Sequence, residues 1–300
     1  MNESRIESRN MTQTNAFGFS SASRRQGRSI GVILVESGRL SPENAERILQ
    51  LQKEKGLRFG DAAMQLGLLS QSDIDLALSD QFDFPYLQAG NSNVSEEVVA
   101  AYKPFDRQIE NLRSLRSQLM LRWFEDKQNQ PTLCIAGTQR GEGRSVLAAN
   151  LAVIFSQLGE KTLLIDADMR NPRQHALFGI SNSHGLAAAL TGRANEPLHA
   201  IEGLPGLHIL PAGSSINAQE LLGRPAFAQL LAEFSAVFDV ILIDTPASSE
   251  YADISTIAAR TGAALVVVRQ NHSLAAEVKE LGNVLNQGSV NVVGTVLNNY

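Results

Sequence analysis

GTQRGEGRSVLAANLAVIFSQLG, residues 137–159, follows the apolar run TLCIAG (132–137) and decides how the chain is read. A short apolar strand, a glycine-rich loop and a helical pattern follow one another without a gap. Leu147, Leu151, Ile154 and Leu158 fall on one helical face, and Gly159 ends the helix. Gly141 and Gly143 leave room for backbone N–H groups to point at phosphate oxygens, and the helix N-terminus adds favourable partial charge. Glu142 and Val146 complete this amide-lined loop, and Ser145 is placed to offer its hydroxyl to Mg²⁺. Val146 stands where a dinucleotide fingerprint needs its third glycine, which excludes that fold of loop. Arg144 occupies the place usual for lysine; it keeps a permanent charge and can fork across two phosphate oxygens, but it is bulkier.

Working outward, KTLLID (161–166), LHILPAG (207–213), DVILID (239–244), AALVVVRQ (263–270) and VNVVGTVLNN (290–299) are further short apolar runs separated by helical patterns. Such runs predict a parallel sheet with helices on both faces, an α/β P-loop NTPase-like domain. The carboxyl ends of neighbouring parallel strands open onto one crevice. Asp166 and Asp168 at one strand end, and Asp244 at another, are therefore expected to converge on the metal and phosphates. The ligand implied is ATP with Mg²⁺. Arg144, Asp166 and Asp168 are the candidate catalytic residues, and Ser145, Asp168 and Asp244 the candidate metal ligands. Asn298 or Asn299 ends the last strand, and a resemblance to ATPases with asparagine there implies a contact with the adenine ring. His272, in RQNHS after a strand, reads as a surface-turn residue, and the other histidines show no metal-ligand spacing.

The whole chain has 300 residues, 43% of them hydrophobic and 19% charged, which suits a soluble protein with a well-filled core. A net charge of −5 gives no basic field for nucleic acid. The lone Cys134, inside an apolar run, reads as a buried thiol in a reducing cytoplasm. No apolar stretch is long enough to span a membrane, and residues 1–25 mix Ser, Asn, Arg and Glu as a disordered tail would.

Residues 26–90 contain an internal repeat. IGVILVESGRLSPENAERILQLQ from Ile30 overlays FGDAAMQLGLLSQSDIDLALSDQ from Phe59 with a shift of 29 residues. Gly31 matches Gly60, Gly38 matches Gly67, Leu40 matches Leu69, Ser41 matches Ser70, and Gln52 matches Gln81. Each half predicts a short helix ended by glycine and then a serine-capped helix. Residues 91–108, with prolines and turn residues around them, read as a linker to a domain at 109–300.

The stretch LLIDADMRNPRQHALFG, with the loop and Asp244, resembles the bacterial tyrosine kinases of polysaccharide export, nearest the EpsG-like chain-length-determinant branch. That resemblance makes Thr138 to Ser145 the Walker A loop, Asp166 and Asp168 Walker A′, and Asp244 Walker B, with Asp166 the base for the tyrosine hydroxyl. ENLRSLR fits Glu-x-x-Arg-x-x-Arg at Glu110, Arg113 and Arg116, which in the family mediates homo-oligomer assembly. Leu112, Leu115, Leu119 and Trp123 form an apolar stripe beside it. The family further implies a cytoplasmic kinase held at the inner membrane by a Wzz-like chain-length-determinant activator. One departure is plain: the tyrosine-rich tail is replaced by Tyr300 alone. Gln139 stands where MinD- and ParA-like ATPases carry a second lysine, although a non-kinase ATPase switch of that kind stays open as an alternative. The repeat resembles the MshEN or GspE-N domain of type II secretion ATPases, some of which bind cyclic di-GMP. A cyclic di-GMP-responsive adaptor is a further alternative. Its second half keeps Arg58, Gly60, Gly67, Leu78 and Gln81, whereas Ser29 replaces the first arginine.

Overall fold

Each of the six apolar runs forms a strand. In the computed structural model, residues 29–82, 84–88, 90–126, 131–193, 198–215 and 217–299 are described. The tail expected at 1–25 and Tyr300 lie outside them. The chain divides into two units, Met1–Asp83 and Phe84–Tyr300.

The first unit is built of α1 (Ile30–Glu36), α2 (Pro42–Lys55), α3 (Phe59–Gln65) and α4 (Gln71–Phe82). The repeat shows in its turns. Gly38 and Gly67 adopt φ of 72° and 65°, a left-handed turn that frees each short helix to reverse. Ser41 caps α2 by accepting from Asn44 N at 3.2 Å. Ser70 and Asp73 form a reciprocal box, with Ser70 N donating to Asp73 Oδ2 at 3.0 Å and Asp73 N to Ser70 Oγ at 3.3 Å. Hydrogen bonds from Ser70, together with Arg39, hold the Asp73 carboxyl below its ordinary range. Leu34, Leu40, Ile48, Ala62, Ala63, Leu69, Ile74 and Ala77 make the core. Gly31 and Gly60 lie where a Cβ would press at 3.2 Å on the Phe59 ring and on Ile74, so both halves use glycine for a close approach between helices.

The second unit opens with α5 (Val99–Tyr102) and α6 (Arg107–Leu119), which runs into a π turn, Met120–Phe124. Then follow β1 (Thr132–Gly137), α7 (Arg144–Gln157), β2 (Thr162–Asp166), α8 (Gln174–Leu177), α9 (Leu186–Ala189), β3 (His199–Ala200) and β4 (Leu207–Leu210). The chain continues through α10 (Ala218–Gly223), α11 (Pro225–Ser235), β5 (Val240–Asp244), α12 (Asp253–Thr261), β6 (Ala263–Arg269), α13 (Ala275–Gln287) and β7 (Asn291–Asn298). The strand order is β3-β4-β2-β5-β1-β6-β7, parallel except for the antiparallel edge strand β3, which was too short to register as an apolar run. Alternate residues feed two cores. Leu133, Ile135, Leu164 and Leu242 pack with α5 to α8, while Cys134, Ala136, Ile165 and Ile243 pack with α9 to α13. Cys134 is fully buried there, and desolvation pushes its thiol up to about 12.

Two expectations are modified. The boundary falls at residue 83, and the stretch expected as a linker packs into the second unit. Two buried amides of α7 hold it: Gln157 Nε2 donates to Pro85 O and Ala100 O, and Asn150 exchanges bonds with Ala100 N and Glu97 O. Second, α7 is buried on nearly every side from Leu147 to Gln157, while Leu158 is 43% exposed, so the one-faced pattern understated its coverage. The expected apolar stripe of α6 and the π turn faces this core: Leu119 and Trp123 are buried, with Leu112 and Leu115 packed beside them.

Candidate functional site

The loop between β1 and α7 turns through Gly141 and Gly143, whose φ values of 77° and 92° only glycine adopts freely. It borders a cleft of about 320 Å³ lined by Gly141, Gly143, Arg144, Ser145, Val146 and Asp168, with Glu97 and Arg173 at its side. Glu97 and Arg173 pair there at 3.0 Å.

The loop carbonyls are clasped from the next strands along the sheet. Arg269 Nη1 donates to Gly141 O at 3.0 Å, and Asn298 Nδ2 donates to Glu142 O at 3.0 Å. His272 Nε2 lies 2.8 Å from Arg140 O. His272 is an exposed turn residue, as expected, that also touches the loop, and Asn298 braces the loop from the end of β7. Gln139, the residue in place of a second lysine, donates to Glu277 Oε2 at 2.8 Å.

Arg144 is only 8% exposed. Its Nη1 donates to Gln139 O at 2.6 Å and Glu142 Oε2 at 3.2 Å, and its Nε donates to Thr245 O at 3.2 Å. Glu142 belongs to the stretch that borders this cleft, while its side chain turns inward and is completely buried.

The three acids meet at one edge. Asp166 and Asp244 are direct partners in the register of β2 and β5. Asp166 is fully buried; its Oδ2 accepts from Arg173 N and Gln174 N, both at 2.9 Å, and its Oδ1 accepts from Asp168 N at 3.1 Å. Burial raises its proton affinity well above the ordinary carboxyl range, reinforced by Asp244 and, less, by Asp168. Asp244 is raised too, chiefly by burial, while Gln174, Ser145 and Arg144 pull it back. Asp168 is the acid that lines the cleft.

Gln174 was not singled out from sequence. Its Nε2 donates to Asp244 Oδ2 at 2.8 Å and to Ser145 O at 3.1 Å, tying the acidic loop to the start of α7. A glutamine at the start of a one-turn helix carries no pattern; only its position in the motif stretch could have flagged it. Arg170 is similar: it grips the buried Asp253 at 3.2 Å and lies 4.2 Å over the Tyr251 ring.

Among the described residues, no group of three His, Cys, Asp or Glu side chains could hold a metal alone. A cation shared with a phosphate ligand does fit. Asp244 Oδ1 is buried without a hydrogen-bond partner, Ser145 and Arg144 both favour the charged form of the same carboxyl, and two buried acids lie side by side without enough positive charge to balance them.

The proposed assembly residues are largely engaged within the chain. Arg113 donates to Pro104 O and lies 5.2 Å from the Phe84 ring, while Arg116 pairs with Glu160 at 3.5 Å. Glu110 remains exposed although it pairs with Arg113.

Residues 130–283 match a family model described as "Cellulose biosynthesis protein BcsQ". The tyrosine-protein kinase Etk of Escherichia coli K12 is 32% identical over 203 residues, covering 67% of this chain and 28% of Etk. CapB of Staphylococcus aureus, designated to the same kinase class, is 32% identical over 199 residues, 65% of this chain and 86% of CapB. The solved kinase domain of Escherichia coli ETK superposes with a TM-score of 0.65 at 29% identity, over 71% of this chain and 82% of that domain. The chain spans under a third of the length of the first curated relatives, 27–29% of each.

Proposed function

This chain belongs to the family whose model carries the BcsQ description and, through its likeness to CapB and Etk, to the bacterial tyrosine kinases, and from that membership we propose that it transfers phosphate from ATP to protein tyrosine. Its setting is the control of exopolysaccharide chain length, polymerisation and export. The observation that carries the reading is the pairing of Asp166 and Asp244 at the sheet edge, with Ser145 and Asp168 at the amide-lined loop beside them.

Mg²⁺, when bound with ATP, neutralises charge on the transferred phosphate. The chain supplies the rest. Amides from Gly141 to Val146 cradle phosphate at the start of α7, where the helix dipole favours negative charge. Ser145, Asp168 and Asp244 would hold the cation, Asp168 being the acid among them that lines the cleft. Asp166 lies one hydrogen bond behind Asp168, and its raised proton affinity suits it to receive the tyrosine proton. Catalysis on this plan is positioning and charge neutralisation.

The phosphate acceptor belongs to the same proposal, with Tyr300 as one candidate. Self-assembly through Glu110, Arg113 and Arg116 and activation by a membrane chain-length-determinant protein complete the reading. Among the described residues, no helix is long and apolar enough to cross a membrane. Radiolabelled γ-phosphate transfer to tyrosine, with and without such a partner's cytoplasmic tail, tests the kinase. Phosphate release without phosphotyrosine would replace it by the ATPase switch.

Cyclic di-GMP binding by the first unit is a separate proposal with less support. The groove that holds Gly31, Gln52 and Gln81 is mainly apolar, and no Lys or Arg lines it among the described residues. Titration of the whole protein with cyclic di-GMP tests it, and no heat at high micromolar ligand ends it.

A further inference from the structure

We propose that Glu142 is a positioning residue for Arg144, and that its buried carboxylate is the reason this loop uses a guanidinium instead of an ammonium. The inference rests on the nucleotide-site reading above.

The pocket for Glu142 is built from three places in the chain. Thr138 Oγ1 and Ser273 Oγ each donate to Oε1 at 2.6 Å, and Arg144 Nη1 donates to Oε2 at 3.2 Å. Gly137 supplies the space, since a Cβ there would collide with Glu142 Oε2 and crowd Arg144 Cδ. The Ser273 hydroxyl in turn accepts from Arg269 N at 2.8 Å, so the loop after β6 fixes the carboxylate. With the side chain at 0% exposure and both oxygens bonded, this is a designed counter-charge and not a solvated loop acid.

A carboxylate inside a phosphate loop has a chemical consequence. A lysine ammonium is one compact charge and would be drawn onto Glu142, away from the cleft. Arginine divides its donors. Nη1 serves Glu142 and Gln139 O, Nε serves Thr245 O, and Nη2, with no protein partner among the described residues, stays available to a phosphate oxygen. Glu142 thereby fixes the guanidinium plane before nucleotide arrives. The exchange of lysine for arginine and the presence of glutamate two residues earlier are one feature.

The test uses the full chain in two arms. In the first, NMR of the ligand-free protein follows exchange of the Arg144 guanidinium protons; slow exchange is expected in the wild type and at least tenfold faster exchange in Glu142→Gln. If that variant fails to fold, Ser273→Ala, which removes one bond to Oε1, takes its place. In the second arm, ATP affinity is measured for Arg144→Lys and for Glu142→Gln combined with Arg144→Lys. The lysine variant should lose at least tenfold, and removing the carboxylate should recover at least fivefold of that loss, because the ammonium is then released. Unchanged exchange in Glu142→Gln, wild-type affinity in Arg144→Lys, or no recovery in the double variant would each overturn the proposal. Wild-type protein that binds no ATP would instead overturn the nucleotide-site reading, with the exchange arm still deciding the pairing.

Discussion

In the first unit the most deeply buried described side chains are Leu34, Leu40, Ile48, Ala62, Ala63, Ile74 and Ala77, all apolar, whereas along one sheet edge of the second unit Glu142, Asp166, Asp244 and Asp253 lie at 1% exposure or less. The Ser70–Asp73 box and the 2.7 Å Arg39–Asp73 pair of the first unit lie at the surface. The second places charge where water cannot balance it, and each buried acid must be balanced by amides, a cation or a proton. The difference separates polar groups that terminate helices from polar groups arranged to meet a ligand.

The comparison would break most visibly at the sheet edge. Arg144→Ala should abolish ATP binding, and Asp166→Ala should lower phosphotransfer by about 100-fold or more; unchanged ATP affinity in the first variant would remove Arg144 from the site. Next comes the cost of the acids themselves. Because Asp166 and Asp244 have raised proton affinities, the native protein retains protons that the unfolded chain releases once pH passes the ordinary value of 3.8. Ligand-free stability should therefore fall as pH rises from there towards the raised native values. Asp244→Asn, which keeps an oxygen for Gln174 and removes a charge, should stabilise the ligand-free protein by about 1–3 kcal/mol at pH 8 and less at pH 5. Equal melting curves at the two pH values, in both proteins, would show that no charge strain exists.

The first unit should respond on a smaller scale and with the opposite sign. Ser70→Ala removes a cap and should cost about 1 kcal/mol in thermal unfolding, with ATP affinity unaltered. Asp73 is held below its ordinary value, so its contribution is present above pH 3.8 and lost as pH falls through the lowered native value. The smallest effect belongs to Gly60→Ala: improved helix propensity opposes crowding of Ile74 at 3.2 Å, leaving a change under about 1 kcal/mol.

What could be read from sequence follows the same division. The repeat, its caps and six strands were legible because apolar period and turn chemistry are local. The meeting of Asp166 and Asp244 was legible because both end strands, and parallel topology brings strand ends together. Gln174, Ser273 and the inward turn of Glu142 were not, since these depend on which loops meet across the sheet edge. The packed stretch from Phe84 to Asp106 also escaped notice: its turn residues looked like a linker, and its capture by Asn150 and Gln157 is a long-range event.

The central proposition is that one cleft, lined by the loop at Arg144 and backed by paired carboxylates, moves phosphate to tyrosine. Incubation of the purified chain and its Asp166→Ala variant with γ-labelled ATP, Mg²⁺ and an activating tail peptide, scored for phosphotyrosine, measures this most directly. Label on tyrosine in the wild type, lost in the variant, is the result expected. Labelled phosphotyrosine that persists undiminished in the variant would contradict it.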